Sequence, residues 1–247
     1  MAKQPIRQMK KYTGIFYLFL LLLNYHQLSA QQSFDSSFAD AAAVYTKTIG
    51  ANAHLYTGSE YVDYDHRMTG NPYFASLYFT NGAIVYDDIL YNNIQMFYDI
   101  LNDDVVIKNY NDTALLLSKE KVSSFSYAGH NFIKIIPDSA TAEIKPGYYE
   151  VLYNGNTKLF AKRKKEIKEK IELQYSETTF TEHDQYYILK KDIFYQVSDK
   201  NAALDVMKDR KKELSKFIHA NKLKFTRNFE ASLLKTVAYY NGLNTSK

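Results

Sequence analysis

At 247 residues with 46% hydrophobic side chains, the chain is long enough to bury a substantial core, as one large domain or two small ones. It contains no cysteine, which excludes disulfide staples and thiol catalysis. Its formal charge of +4 belongs to the first thirty residues; beyond them 27 basic residues meet 27 acidic ones, a balance that gives no ground for a nucleic-acid or anionic-membrane partner.

In chain order, Lys3, Arg7, Lys10 and Lys11 precede an apolar run at 15–23 and the small-residue exit Leu28-Ser29-Ala30. Those three parts predict a secretory signal over residues 1–30, cleaved after Ala30. The apolar run is well short of the roughly 20 residues that a spanning helix needs, so no transmembrane span is expected after cleavage. An exported chain without cysteine fits a bacterial envelope, and the sequons at Asn111 and Asn244 would matter only in a glycosylating pathway.

Residues 31–72 read as a short helix followed by a loop. Ser37-Phe38-Ala39-Asp40 resembles a capping box, and Phe38, Ala41, Ala42, Tyr45 and Ile49 then share one helical face up to Gly50. A short extended piece near 60–64 and the turn Gly70-Asn71-Pro72 lead onward.

Residues 73–198 carry the grammar of an antiparallel β-meander: aromatic and β-branched runs punctuated by turn residues. Asn81-Gly82 predicts a type I′ hairpin between strands at 73–80 and 83–86. Residues 94–100 put apolar or aromatic side chains on both faces, the pattern of a strand covered on both sides. Further strands are expected at 105–107, 115–117, 122–127, 132–136, 148–153 and 157–161, separated by Asn102-Asp103-Asp104, residues 109–112, 128–131, Pro137-Asp138-Ser139 and Asn154-Gly155-Asn156. Ile167, Ile171, Leu173 and Tyr175 alternate with charged and polar residues, marking a long edge-type strand with one wet face. The run Lys162 to Lys170, with its interspersed Glu, reads as a solvated, edge-protecting face. Strands at 178–181, 186–189 and 193–197 finish the region. The 23 Tyr and 15 Phe, with no Trp, suit half-buried pleated surfaces.

Over 199–247 the period lengthens. Leu204 and Met207, then Leu214, Phe217 and Ile218, then Phe229, Leu233, Val237 and Tyr240 follow helical spacing, with Gly242 as the stop and the sheet as the surface the stripes pack on. The expected fold is mainly β (α+β): an antiparallel meander sheet or partly closed barrel, a short N-terminal helix and two to three C-terminal helices. Residues 31–247 form one domain on this reading.

Motifs for chemistry are sparse. His54, His66, His130, His183 and His219 reproduce no metal-ligand spacing, and no Gly-x-Ser-x-Gly elbow is present, so no catalytic, cofactor or metal residue is assigned. The densest polar cluster lies in the loop before the meander. Asp63, Asp65, His66 and Arg67 offer two carboxylates, an imidazole and a guanidinium that suit cation binding or acid/base work, a composition shared with charged surface loops. Asp87-Asp88 and Asp103-Asp104 read as turn residues.

The phrases Leu55-Tyr56-Thr57-Gly58-Ser59-Glu60-Tyr61, Gly70-Asn71-Pro72-Tyr73-Phe74 and Gly147-Tyr148-Tyr149-Glu150-Val151-Leu152-Tyr153-Asn154-Gly155, with the Lys-rich 162–170 segment, resemble those of uncharacterised secreted proteins from Bacteroidota. The resemblance implies an exported location and carries no activity to transfer. The functional expectation is a non-enzymatic binding or scaffolding module of the cell envelope, its partner an unidentified envelope protein or ligand. The alternatives are a calycin-like barrel for an apolar ligand, or a glycan-processing hydrolase whose paired carboxylates would face each other across a cleft. Short strands and C-terminal helices argue against an outer-membrane barrel.

Overall fold

The structure, a computed structural model, describes residues 54–64, 67–137, 144–172 and 175–245. The expected leader and N-terminal helix lie outside these residues. Thirteen strands run in chain order: β1 Ser59–Glu60, β2 Thr80–Tyr86, β3 Ile89–Asp99, β4 Asp104–Lys108, β5 Ala114–Leu116, β6 Val122–Tyr127, β7 His130–Ile135, β8 Gly147–Tyr153, β9 Lys158–Lys162, β10 Lys165–Glu172, β11 Tyr175–Glu182, β12 Gln185–Lys190 and β13 Ile193–Val197. Three helices follow: α1 Lys200–Val206, α2 Lys211–Ala220 and α3 Phe229–Thr245.

Eleven strands form one antiparallel sheet in the order β1-β5-β4-β3-β2-β6-β7-β8-β9-β12-β13, so two meanders diverge from the β2/β6 pair. The sheet is open, with β1 and β13 at its edges. Its N-terminal half curls for a reason of reach. Leu116 and Val122 lie at the ends of strands four places apart, and their six Cα steps span about 20 Å at full extension. A hydrogen bond of 3.2 Å from Lys121 N–H to the Ser118 carbonyl shortens that connection, whereas four spacings of a flat sheet need roughly 19 Å.

Two-residue turns with positive φ at both positions close three hairpins: Asp87-Asp88 (48° and 63°), Ala128-Gly129 (52° and 83°) and Lys191-Asp192 (51° and 62°). That geometry matches the right-handed twist of the flanking strands. The hairpin expected at Asn81-Gly82 is displaced by it. Gly82 lies inside β2 at a bulge, where Asn93 adopts φ 57° and the register slips between Gly82 and Ala83. A Cβ on Gly82 would sit 2.3 Å from the Ser126 carbonyl oxygen and 2.8 Å from Met96 Sδ. The glycine therefore serves close approach of β3 and β6, and residues 73–79 form a loop that meets β3 through the Tyr73–Asp99 bridge.

Within the curl, aromatic rings pack edge to face. Phe125 stacks on Phe132 at 4.8 Å, and Tyr98 presents its edge to both at 5.1 Å, with Tyr148 closing on Phe125 at 5.2 Å. As the periodicity of 94–100 predicts, Met96, Phe97, Tyr98 and Asp99 are all buried. The C-terminal half of the sheet is a helix-covered layer: Leu159, Ile188 and Val197 meet Leu204, Met207, Leu214, Ile218, Leu233 and Val237. Asn241 fastens α3 to the β8–β9 turn by a reciprocal pair, accepting from Thr157 N at 2.8 Å and donating to Thr157 O at 2.9 Å. Helix α3 continues past Gly242, which was expected to stop it; nothing lies within 4 Å of the position a Cβ would take there.

Strands β10 and β11 stand apart as a two-stranded ribbon, paired with each other from Lys165–Glu182 to Glu172–Tyr175. The strand expected to run through residue 175 thus breaks into two. Thr69 docks on the ribbon, donating to Thr178 O at 2.8 Å and accepting from Phe180 N at 3.1 Å.

Gly82→Ala should lower stability by about 1–3 kcal/mol through forced displacement of β6 and Met96. Gly242→Ala should be neutral or raise stability by about 0.5 kcal/mol, because a helical Gly is replaced where space is open. Urea unfolding midpoints measure both.

Candidate functional site

Four groups of polar side chains compete for the role of a site. The loop cluster singled out by sequence is divided: Asp65 and His66 lie outside the described residues, and Arg67 is exposed. Asp63 accepts from Tyr73 OH at 2.5 Å and from Tyr64 N at 2.8 Å, so its carboxylate holds the loop against the sheet. Among the described residues, no three His, Cys, Asp or Glu are placed to hold one metal ion.

A second group surrounds Asp99 at the end of β3. Its carboxylate is fully buried and accepts four bonds: from Leu101 N and Asn102 N at 2.9 and 3.2 Å, and from Tyr61 and Tyr64 hydroxyls at 3.0 and 2.9 Å. Four donors satisfy its lone pairs. Nearby, Asp103 accepts from Tyr98 OH, from Tyr148 N at 3.1 Å and from Lys162 Nζ at 2.6 Å. Gly147 makes room for that contact, since a Cβ would lie 2.3 Å from Asp103 Oδ2. Burial, and secondly the neighbouring carboxylates, push the phenol pKa of Tyr61, Tyr64, Tyr98 and Tyr148 upward; burial and the Asp63 hydrogen bond do the same for Tyr73.

The third group centres on Arg163, in the two-residue link between β9 and β10. Its Nε and Nη2 both reach Glu150 Oε2 at 2.6 Å; Nη1 reaches Asp184 Oδ2 at 2.5 Å and Glu230 Oε2 at 2.7 Å. His130 Nδ1–H donates to the other Glu150 oxygen at 2.5 Å, and the guanidinium lies 5.7 Å from the Phe74 ring centre. Burial works against the Arg163 charge, yet the surrounding carboxylates dominate and raise its pKa. The expectation of a solvated face at 162–170 is therefore overturned at its start: Arg163 and Lys165 are buried, while Lys168 and Lys170 are exposed. Lys165 donates to Tyr73 O at 2.8 Å and Asn71 Oδ1 at 3.2 Å. His130, within the turn expected at 128–131, is instead half-buried at the first position of β7.

The fourth feature is open. A groove of about 700 Å³ runs between the start of α1, the linker at 221–228 and the start of α3, and a smaller one of about 260 Å³ continues it along the end of α2; they share Lys200, Leu223 and Lys224. Its walls include Phe225, Phe229, Lys222 and His219. Sequence reading missed this surface because balance over residues 31–247 hides a segregation: residues 199–247 hold eleven Lys/Arg against five Asp/Glu.

Comparison with known proteins adds no name: no family model, no curated protein and no solved structure matches the chain.

Two outcomes test this description. Arg163→Met should cost about 3–5 kcal/mol by leaving buried carboxylates uncompensated, and Glu150→Gln in the same chain should recover part of that loss, as read by chemical denaturation. The raised tyrosines imply alkaline instability. Unfolded phenols ionise near pH 10 while the folded ones hold their protons, so this stability is complete below about pH 10 and is lost as pH rises towards the higher folded values. The tyrosinate absorbance that belongs to these five phenols should consequently appear together with loss of β-sheet circular dichroism rather than before it.

Proposed function

We propose that the chain is an exported protein of the bacterial cell envelope that works by binding or scaffolding rather than by turnover. Export is supported by the three-part leader, and for an exported chain the absence of cysteine fits a bacterial envelope. The observation that carries the binding reading is how the polar groups divide. The densest acidic clusters close on internal partners, Glu150, Asp184 and Glu230 on Arg163, and Asp99 and Asp103 on tyrosines. The groove beside the helices keeps its lysines facing outward. Among the described residues, no helix is long and apolar enough to cross a membrane.

Neither alternative gains support from the geometry. The curl that a calycin-like binder would keep hollow is occupied by Tyr98, Phe125, Phe132 and Tyr148. The carboxylates that a hydrolase would aim across a cleft converge on one guanidinium instead.

Fractionation of the native host followed by N-terminal sequencing tests the reading. A chain beginning at Gln31 in an envelope or external fraction is the expected result. Uncleaved protein in the cytosol overturns export, and turnover of an envelope substrate that Glu150→Gln abolishes overturns the non-enzymatic part.

A further inference from the structure

We propose that the groove between α1, the end of α2 and the linker to α3 binds a sugar chain bearing phosphate or sulfate groups; this rests on the binding reading and names its ligand class. Four observations carry it.

The first is unpaired charge in a concave place. Lys200, Lys222 and Lys224 line the groove, and among the described residues none lies within ion-pair distance of a carboxylate, unlike Lys190 and Lys211, which pair with Asp209 at 2.6 Å and Asp205 at 2.7 Å. The carboxylate in the lining, Asp199, is occupied, since its Oδ1 caps α1 by accepting from Asn201 N at 2.7 Å and Ala202 N at 2.9 Å. Lysine is a point-charge binder of phosphate and sulfate oxygens.

The second observation is the backbone at Lys222. Helix α2 ends in a Schellman motif: Leu223 N donates to Ile218 O at 3.0 Å, and Lys222 N to His219 O at 3.1 Å. That motif places Lys222 at φ 52°, the left-handed position where glycine is strongly favoured. A lysine kept at a strained position, on the rim of a groove, points to a use for its side chain.

Size and lining supply the third. The main groove falls within the range of small-ligand sites, roughly 300–1,000 Å³, and exceeds what a lone anion needs. Its apolar wall is Leu223 with Phe225 and Phe229, whose rings meet edge to face at 5.8 Å, and hydroxyls come from Ser198 and Thr226. An apolar ring face beside hydroxyls and ammonium groups matches a sugar ring with anionic substituents. Single-stranded nucleic acid calls instead for a series of aromatic rings on which successive bases stack, whereas this groove offers a single pair.

Segregation of charge supplies the fourth. Residues 199–247, from which all but one of the groove's lining residues come, hold eleven Lys/Arg against five Asp/Glu, whereas residues 31–247 balance.

The test is calorimetric titration of the full mature chain with a heparin-derived hexasaccharide, beside inorganic phosphate, neutral maltohexaose and a hexadeoxynucleotide. The sulfated hexasaccharide should bind, more weakly as salt is added, and more tightly than the other three probes. The variant K200Q/K224Q should weaken it by about tenfold or more, the loss of two charge-assisted contacts. Lys222→Gly separates binding from folding: it should raise Tm, because the strained backbone relaxes, while weakening the hexasaccharide. No binding by the parent chain, equal binding by K200Q/K224Q, or tighter binding of the hexadeoxynucleotide each overturns the proposal. Those failures leave export and mature N-terminus untouched, so they are distinct from failure of the envelope reading.

Discussion

The guanidinium of Arg163, closed in by three carboxylates, is the contact on which the rest of this fold depends. It draws together a strand (Glu150), a turn (Asp184) and a helix (Glu230), with the loop residue Phe74 lying against it. Coulombic attraction is strongest between Arg163 and Glu150, which are both shielded from water, and that shielding makes either one costly to leave without its partner. The contact is a fastener between the curled, aromatic-filled half of the sheet and the half covered by helices. It acts where hydrophobic packing changes hands from rings inside the curl to the α1–α3 layer.

The tyrosines extend the same logic. A chain without disulfides must be held by packing, and large phenols bury much apolar area while offering a hydroxyl to a polar partner. Tyr61, Tyr64, Tyr73 and Tyr98 use that hydroxyl on Asp99, Asp63 and Asp103, making the buried Asp99 and its more exposed neighbours anchors for the loop at 61–73 and the β3–β4 turn. The abundance of Tyr thus has a structural purpose.

Away from these closed clusters, the C-terminal helices turn a basic, partly aromatic groove to solvent. One molecule therefore handles charge in two ways. Acids are consumed inward to assemble the sheet, and lysines are left outward where the helices meet. The strained backbone of Lys222 belongs to the outward side of that division, since glycine would satisfy the helix terminus better.

The sequence by itself determined the meander, most strand positions and a helical C-terminus of two to three helices, because alternation of period two and stripes of period 3.6 are local properties of a chain that buries one face. Turn composition also served at Asp87-Asp88 and Asn154-Gly155-Asn156, but it misled at Asn81-Gly82, where glycine answers to the neighbouring Ser126 carbonyl and Met96. Only the tertiary structure decided that Arg163 and Lys165 are buried while Lys168 and Lys170 are not. Their partners lie in other elements, and a run of charges reads alike whether it meets carboxylates or water. Strand order belongs to the same class: a five-residue connection carrying the chain back across the sheet into β6, beside β2, leaves no periodic mark, since it is the curl, a property of the assembled sheet, that makes so short a crossing possible.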